Sequence, residues 1–217
     1  MPMSTFGARI VGLCVLSLWL GQAQAGRPLS VEDANVNEAG KGHIETWWAR
    51  VPSSSRSWFV APAWSPLEGL ELAATVSRDM LQKQNSTAVQ AKFRLTPSQE
   101  NGCNFGAIGG WSQAGSDSSR PFVNGLFSCN KPHWGSLHSN LGAVNTERST
   151  YSRTWGLAWE YPVGEATFHL ETFGQQQVKP TRAMGLRFEL TPQLQIDGSL
   201  SRQDNTHQIT LGGKWMF

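Results

Sequence analysis

Thr206-His207-Gln208-Ile209-Thr210-Leu211-Gly212-Gly213-Lys214-Trp215-Met216-Phe217 closes the chain, and its reading decides the fold. Ile209, Leu211, Trp215 and Phe217 are apolar, whereas Thr206, Gln208, Thr210 and Lys214 between them are polar. A period of two is a β-strand with one greasy and one wet face. The same alternation recurs upstream. Leu194, Ile196 and Leu200 oppose Gln195, Asp197, Ser199 and Ser201, and Met184, Leu186, Phe188 and Leu190 oppose Arg187 and Glu189. Trp155, Leu157, Trp159 and Tyr161 oppose Gly156, Ala158 and Glu160. Val89, Ala91, Phe93 and Leu95 oppose Gln90, Lys92 and Arg94, and Leu70, Leu72, Ala74 and Val76 oppose Glu71 and Thr75. Less regular strands are expected near 44–50, 55–64, 103–112, 121–129, 135–144 and 166–173. Together these predict an all-β, antiparallel transmembrane barrel of about twelve strands, with 10 or 14 as alternatives.

Turn chemistry supports the count. Pro66, Pro97, Pro132, Pro162 and Pro192 recur at intervals of roughly 30 residues, the length of a turn, an up-strand, a loop and a down-strand. Proline cannot donate to a ladder, so each is expected in a short connection. The alternate connections are more polar and mostly longer, among them Leu81 to Ser86, Gln113 to Ser119 and Thr146 to Arg153. Short turns on one side and longer loops on the other place both chain ends in the periplasm.

The first 25 residues set the compartment. Arg9 precedes the apolar run Ile10 to Leu20, and Gly21-Gln22-Ala23-Gln24-Ala25 ends in a small-x-small pattern. The run is too short to span a bilayer as a helix, so residues 1–25 are expected to be a signal peptide cleaved after Ala25. Cys14 is not a lipidation site, because Leu13 stands where Gly, Ala or Ser is needed. A polar lead, 26–42, is expected on the periplasmic side and the barrel itself over 43–217. The lead either folds into the lumen as a plug or remains disordered.

Composition narrows the function classes. The 217-residue chain has a formal charge of +2, with no one-sided basic face of the kind a nucleic-acid binder needs. A mean hydropathy of −0.33 suits a barrel with a polar interior. Ten Trp against two Tyr point to interfaces, and Trp47, Trp64, Trp155, Trp159, Trp215 and Phe217 are the expected girdle.

Thr210-x-Gly212-x-x-Trp215-x-Phe217 looks like the terminal signal read by the outer-membrane assembly machinery. Physically it is a last strand with an aromatic row and an unpaired edge, suited to pairing during insertion. Cys103 and Cys129 fall at equal distances from a hairpin apex near Ser116, which places them opposite each other by the periplasmic rim. A structural disulfide between them is expected in an oxidising compartment. Cysteine and histidine show no metal-ligand spacing, so neither a metal site nor a cofactor is expected.

A hydrolase needs a nucleophile, a base and an orienting group on one face. His207 points to lipid by parity, Ser139 points away from His138 and Asn140, and no nucleophile is evident beside His169 and Glu171. No catalytic residue is therefore assigned. The inward positions are instead charged: Lys92, Arg94, Glu160, Arg187 and Glu189 are the expected lumen-lining residues, with Glu71, His169, Glu171, Asp197 and Lys214 sharing their parity. Charges of both signs either brace a filled lumen or line a path for small solutes.

Arg27-Pro28-Leu29-Ser30-Val31-Glu32-Asp33-Ala34, followed by Glu38-Ala39-Gly40-Lys41-Gly42-His43-Ile44-Glu45-Thr46-Trp47, resembles the MetA-pathway-of-phenol-degradation, or transporter-like, outer-membrane family. The resemblance implies a β-barrel in the outer membrane of a Gram-negative bacterium that passes small molecules, aromatic or hydrophobic ones among them. It carries no catalytic residues. The expected partners are outer-membrane lipid, the assembly machinery and a small solute, with the chain a monomer. The alternatives are a non-conducting structural or interaction barrel and a membrane-embedded hydrolase.

Overall fold

The computed structural model describes residues 29–146 and 150–217; the expected signal peptide lies outside the described residues. Twelve strands follow the alternating segments: β1 Gly42–Val51, β2 Ser55–Leu67, β3 Leu70–Asp79, β4 Gln84–Arg94, β5 Cys103–Ala114 and β6 Arg120–Lys131 form the first half. The second half is β7 Gly135–Asn145, β8 Tyr151–Val163, β9 Ala166–Gln175, β10 Thr181–Thr191, β11 Leu194–Gln203 and β12 Thr206–Met216. Each strand pairs antiparallel with its neighbours in sequence, and β12 closes the barrel on β1. Closure leaves no sheet edge, the arrangement that lets strands satisfy their own backbone in an apolar medium.

Gly42 and Phe217 meet at one rim, where each N–H donates to the other's carbonyl, at 3.0 and 2.9 Å. Connections 68–69, 95–102, 132–134, 164–165 and 192–193 share this terminal rim. The far rim carries 52–54, 80–83, 115–119, 146–150, 176–180 and 204–205. Connections are short at both rims, and the longest, 95–102, is on the terminal side rather than the far side expected from the sequence. In the two-residue turns 68–69 and 164–165, Gly69 and Gly164 take left-handed backbone at φ 79° and 63°.

Two prolines lie differently from their expectation. Pro97, Pro132 and Pro192 occupy connections, but Pro66 and Pro162 fall inside the last residues of β2 and β8. At Pro66 the β2–β3 register shifts between Trp64 and Leu67, and such a bulge leaves no ladder bond for proline to break.

Polarity is inverted relative to a water-soluble barrel. Leu141 is 72 % exposed on the outer face, whereas Asn104, Ser128 and His169 are fully buried inside. Trp64, Trp155, Trp215 and Phe217 are exposed outward. Trp159 packs with Tyr161 and Phe168 on the outer face, and its Nε1 donates to the Trp134 carbonyl at 2.7 Å. Trp47 is the exception to the expected girdle. It is buried on the inward face of β1 with His43 and Glu45, and it stacks on Phe59 with centroids 4.6 Å apart. The β1–β12 register explains this, because it sets Glu45 opposite the inward Lys214 and so turns Trp48, not Trp47, outward.

Cys103 pairs with Cys129 across β5 and β6, their Cα atoms 4.0 Å apart and their sulfurs bonded. The neighbouring Asn104 and Ser128 are the buried, inward residues, so the bridge faces outward near the terminal rim.

Candidate functional site

The lumen is built from inward side chains and from the lead, whose residues 29–37 run through it as an extended strap ahead of β1. An extended segment with no strand partner must find donors and acceptors elsewhere. Wall side chains supply them. Glu171 Oε2 accepts the N–H groups of Ser30 and Val31 at 2.7 and 3.0 Å. Asn140 makes a reciprocal pair with Glu32, its Oδ1 accepting the N–H at 2.7 Å and its Nδ2 donating to the carbonyl at 2.8 Å. Ser128 Oγ accepts the Ala34 N–H at 2.8 Å, and Glu71 Oε2 accepts that of Asn37 at 3.1 Å. The strap thus crosses from β9, past β7 and β6, to β3.

Apolar contacts seat it. Leu29 and Val31 pack with Ala158 and Phe173, and Ala34 packs with Ile108, Phe122, Leu126 and Val144. These inward apolar residues explain why β5, β6 and β7 alternate poorly in the sequence: their lumen face is partly dry where the strap lies on it. Gly156 makes room, since a Cβ there would stand 2.8 Å from Val31 Cγ2.

The expected lining residues distribute unevenly. Lys92 is buried beneath the strap, its Nζ 3.1 Å from Glu32 Oε2 and 3.6 Å from Asp33 Oδ1. Burial raises the Glu32 carboxyl to about 7 although Lys92 pulls the other way, because one ammonium is shared among Glu32, Asp33 and Glu71. At Asp33 burial is outweighed by Lys92, His138 and the Asn35 N–H, and its carboxyl is held below the ordinary value. Arg187 Nη1 donates to Glu160 Oε1 at 2.9 Å, so these two expected residues meet. Arg94 is paired with Glu68, next to the 68–69 turn at the terminal rim. Glu189 keeps the inward parity but is exposed at that rim, beside the register shift that ends the β10–β11 ladder, and it stands outside the buried network. A cavity of about 190 Å³ remains beside the strap, lined among others by Glu32, His43, Glu45, Glu71, Lys92 and Lys214.

One constellation escaped the sequence reading. Ser128 Oγ lies 2.7 Å from His138 Nδ1, and His138 Nε2 lies 3.2 Å from Glu160 Oε2. Serine, histidine and carboxylate in that order have the connectivity of a nucleophile, a base and an orienting group. Ser128, however, is fully buried and accepts the Ala34 N–H, so in this state the relay anchors the strap. Reading His138 against Ser139 overlooked the hairpin partner; turning the chain at 132–134 places Ser128 directly opposite His138. Asn140, like Ser128, carries no charge or periodic signal that would mark it as a strap anchor. Among the described residues no group of His, Cys, Asp and Glu could hold a metal ion.

The sequence belongs to the family described as Uncharacterised conserved protein UCP029691, whose model matches residues 14–216. No curated protein matches it. Solved outer-membrane barrels share its fold. The KdgM porin has 14 % sequence identity and a TM-score of 0.64, over 81 % of this chain and 99 % of that one. The NanC porin has 9 % identity and a TM-score of 0.65, over 80 % and 98 %. The COG4313 outer membrane channel from Pseudomonas putida F1 has 10 % identity and a TM-score of 0.61, over 85 % and 98 %.

Proposed function

We propose that this family member is a channel in the outer membrane of a Gram-negative bacterium, passing small solutes passively through a lumen that its own 29–37 strap plugs. The observation that carries the reading is the polarity inversion: an apolar outer wall around a closed ring, with charged and amide side chains turned inward. Thr210, Gly212, Trp215 and Phe217 on the closing strand serve insertion by the assembly machinery, Trp215 and Phe217 from the lipid face.

The inward carboxylates Glu45, Glu71, Glu160, Glu171 and Asp197 of the wall, with Glu32 of the strap, outnumber the inward cations Lys92, Arg94, Arg187 and Lys214. A lumen of this sign favours neutral or cationic solutes over anions. The KdgM porin was solved in complex with disordered oligogalacturonate. A polyanion of that kind fits this lumen poorly. The resemblance to the phenol-pathway family adds aromatic solutes, and the inward Trp47–Phe59 stack is the surface that would receive them.

The strap itself favours a second reading, a non-conducting barrel that it braces. Solute-loaded proteoliposomes separate the two. Under the channel reading, small neutral and cationic solutes escape faster than small anions from vesicles carrying the full chain. No escape of any solute, either from these vesicles or from ones carrying a chain without residues 29–37, supports the bracing reading.

A further inference from the structure

The outer face at the far rim carries a basic row that the lumen reading does not use. Arg182, Arg202, His207, Arg50, Arg56 and Arg78 each sit one residue in from the far end of β10, β11, β12, β1, β2 and β3. These strands are consecutive neighbours around the ring, and all six side chains are exposed. Two residues nearer the middle, the same face turns apolar, with Met184, Leu200, Ile209, Trp58 and Val76 exposed. The row therefore lies where the apolar wall ends. Arginine facing hydrocarbon at mid-depth is costly but is tolerated at headgroup level.

Its pairing is unusual. The ladder sets Arg182 opposite Arg202, and Arg50 opposite Arg56. Like charges directly opposite on one sheet face repel. Among the described residues no carboxylate forms an ion pair with these four. Arg202 Nε donates instead to the Asp204 carbonyl at 2.8 Å, and Arg78 donates to Asn85. An anion from outside the chain would relieve the repulsion, because guanidinium groups engage phosphate through paired donors. Arg182, Arg202 and His207 line one end of a groove of about 1240 Å³ with the mutually paired Lys179 and Asp204, and Trp155, Leu157 and Leu200 line its apolar part. Cations at the top of an apolar groove are complementary to an amphiphile with an anionic head and several acyl chains.

We infer that this far-rim surface binds a phosphate-bearing, acylated lipid of the outer leaflet, with its phosphates on the Arg182–Arg202 and Arg50–Arg56 pairs and its chains on the wall beneath. The inference rests on the membrane placement proposed above, with the chain ends at the periplasmic rim, but not on conduction.

The test refolds the full chain and an Arg50→Gln, Arg56→Gln, Arg182→Gln, Arg202→Gln variant, then measures retention of lipid A and of dephosphorylated lipid A by native mass spectrometry. Co-flotation of both proteins with phosphatidylcholine vesicles checks membrane insertion separately, and heat-modifiable migration checks folding. The expected result is retention of lipid A by the unaltered chain that falls on the order of 10-fold or more, either in the variant or on removing the phosphates. Inorganic phosphate is expected not to displace the lipid. Equal retention by both inserted proteins, or of both lipids, would overturn the assignment, as would displacement by phosphate alone. Failure to float would instead overturn the membrane placement.

Discussion

Lys92, on the barrel wall, holds Glu32, on the strap, with Nζ and Oε2 3.1 Å apart and both side chains almost wholly buried. The pair joins the lead to β4 beside the 190 Å³ cavity, which both residues line. Removing one member of a buried pair strands the other. Lys92→Met is therefore expected to loosen the strap while leaving the ladder closed. Hydrogen exchange in detergent would show amides 30–37 losing roughly 10-fold or more of their protection, with strand amides unchanged.

Gly156 offers a steric test of the same contact surface. A leucine there would need the space of Val31, whose Cγ2 would already lie 2.8 Å from a Cβ. Gly156→Leu is expected to expel residues 29–32 from the wall and to leave heat-modifiable migration of the barrel intact. Unaltered exchange at Val31 would contradict the tight fit.

Strap docking also depends on pH. The Glu32 carboxyl is raised to about 7 when docked, above its ordinary 4.5, so the docked state holds the proton more tightly. Its contribution is fully present below about 4.5 and is lost as pH rises through about 7. Asp33 is shifted the other way and acts below its ordinary 3.8, outside this window. Exchange of the strap amides, corrected for intrinsic rate, is expected to be slower at pH 5 than at pH 8, and Glu32→Gln should flatten the difference.

The bond between Cys103 and Cys129 closes a loop of sequence separation 26. Chain entropy alone gives such a cross-link about 3.5 kcal/mol. Replacing both cysteines by serine should lower the urea midpoint of unfolding in detergent by a corresponding amount, without changing the β content read by circular dichroism. A midpoint equal to that of the oxidised chain would show that the bridge does not constrain the unfolded state.

Some of this was legible in the residues. β12 alternates cleanly because one face meets only apolar surroundings and the other holds Gln208, Thr210 and Lys214 in the lumen, with Gln208 and Thr210 buried. The hairpin apex near Ser116 placed Cys103 opposite Cys129 because β5 and β6 pair without a bulge. What the residues hid follows from the strap. It gives β5, β6 and β7 an apolar inner face at Ile108, Leu126 and Val144, which blurs the period of two. Its anchors are backbone-to-side-chain hydrogen bonds over separations such as the 140 residues from Val31 to Glu171, which leave no local pattern. Trp47 was misplaced for a related reason: an aromatic on a barrel strand suggests lipid, yet the lumen also holds an aromatic pair.

The central claim is that the lead plugs a lumen able to conduct. Single-channel recording in a planar bilayer tests it most directly, comparing the full chain with one lacking residues 29–37, both shown to be folded by heat-modifiable migration. The account predicts small or infrequent steps for the full chain, and larger, cation-preferring steps once the strap is absent. Glu160→Ala in the strapless chain should weaken that preference. A strapless barrel that folds, inserts and gives no steps would contradict it.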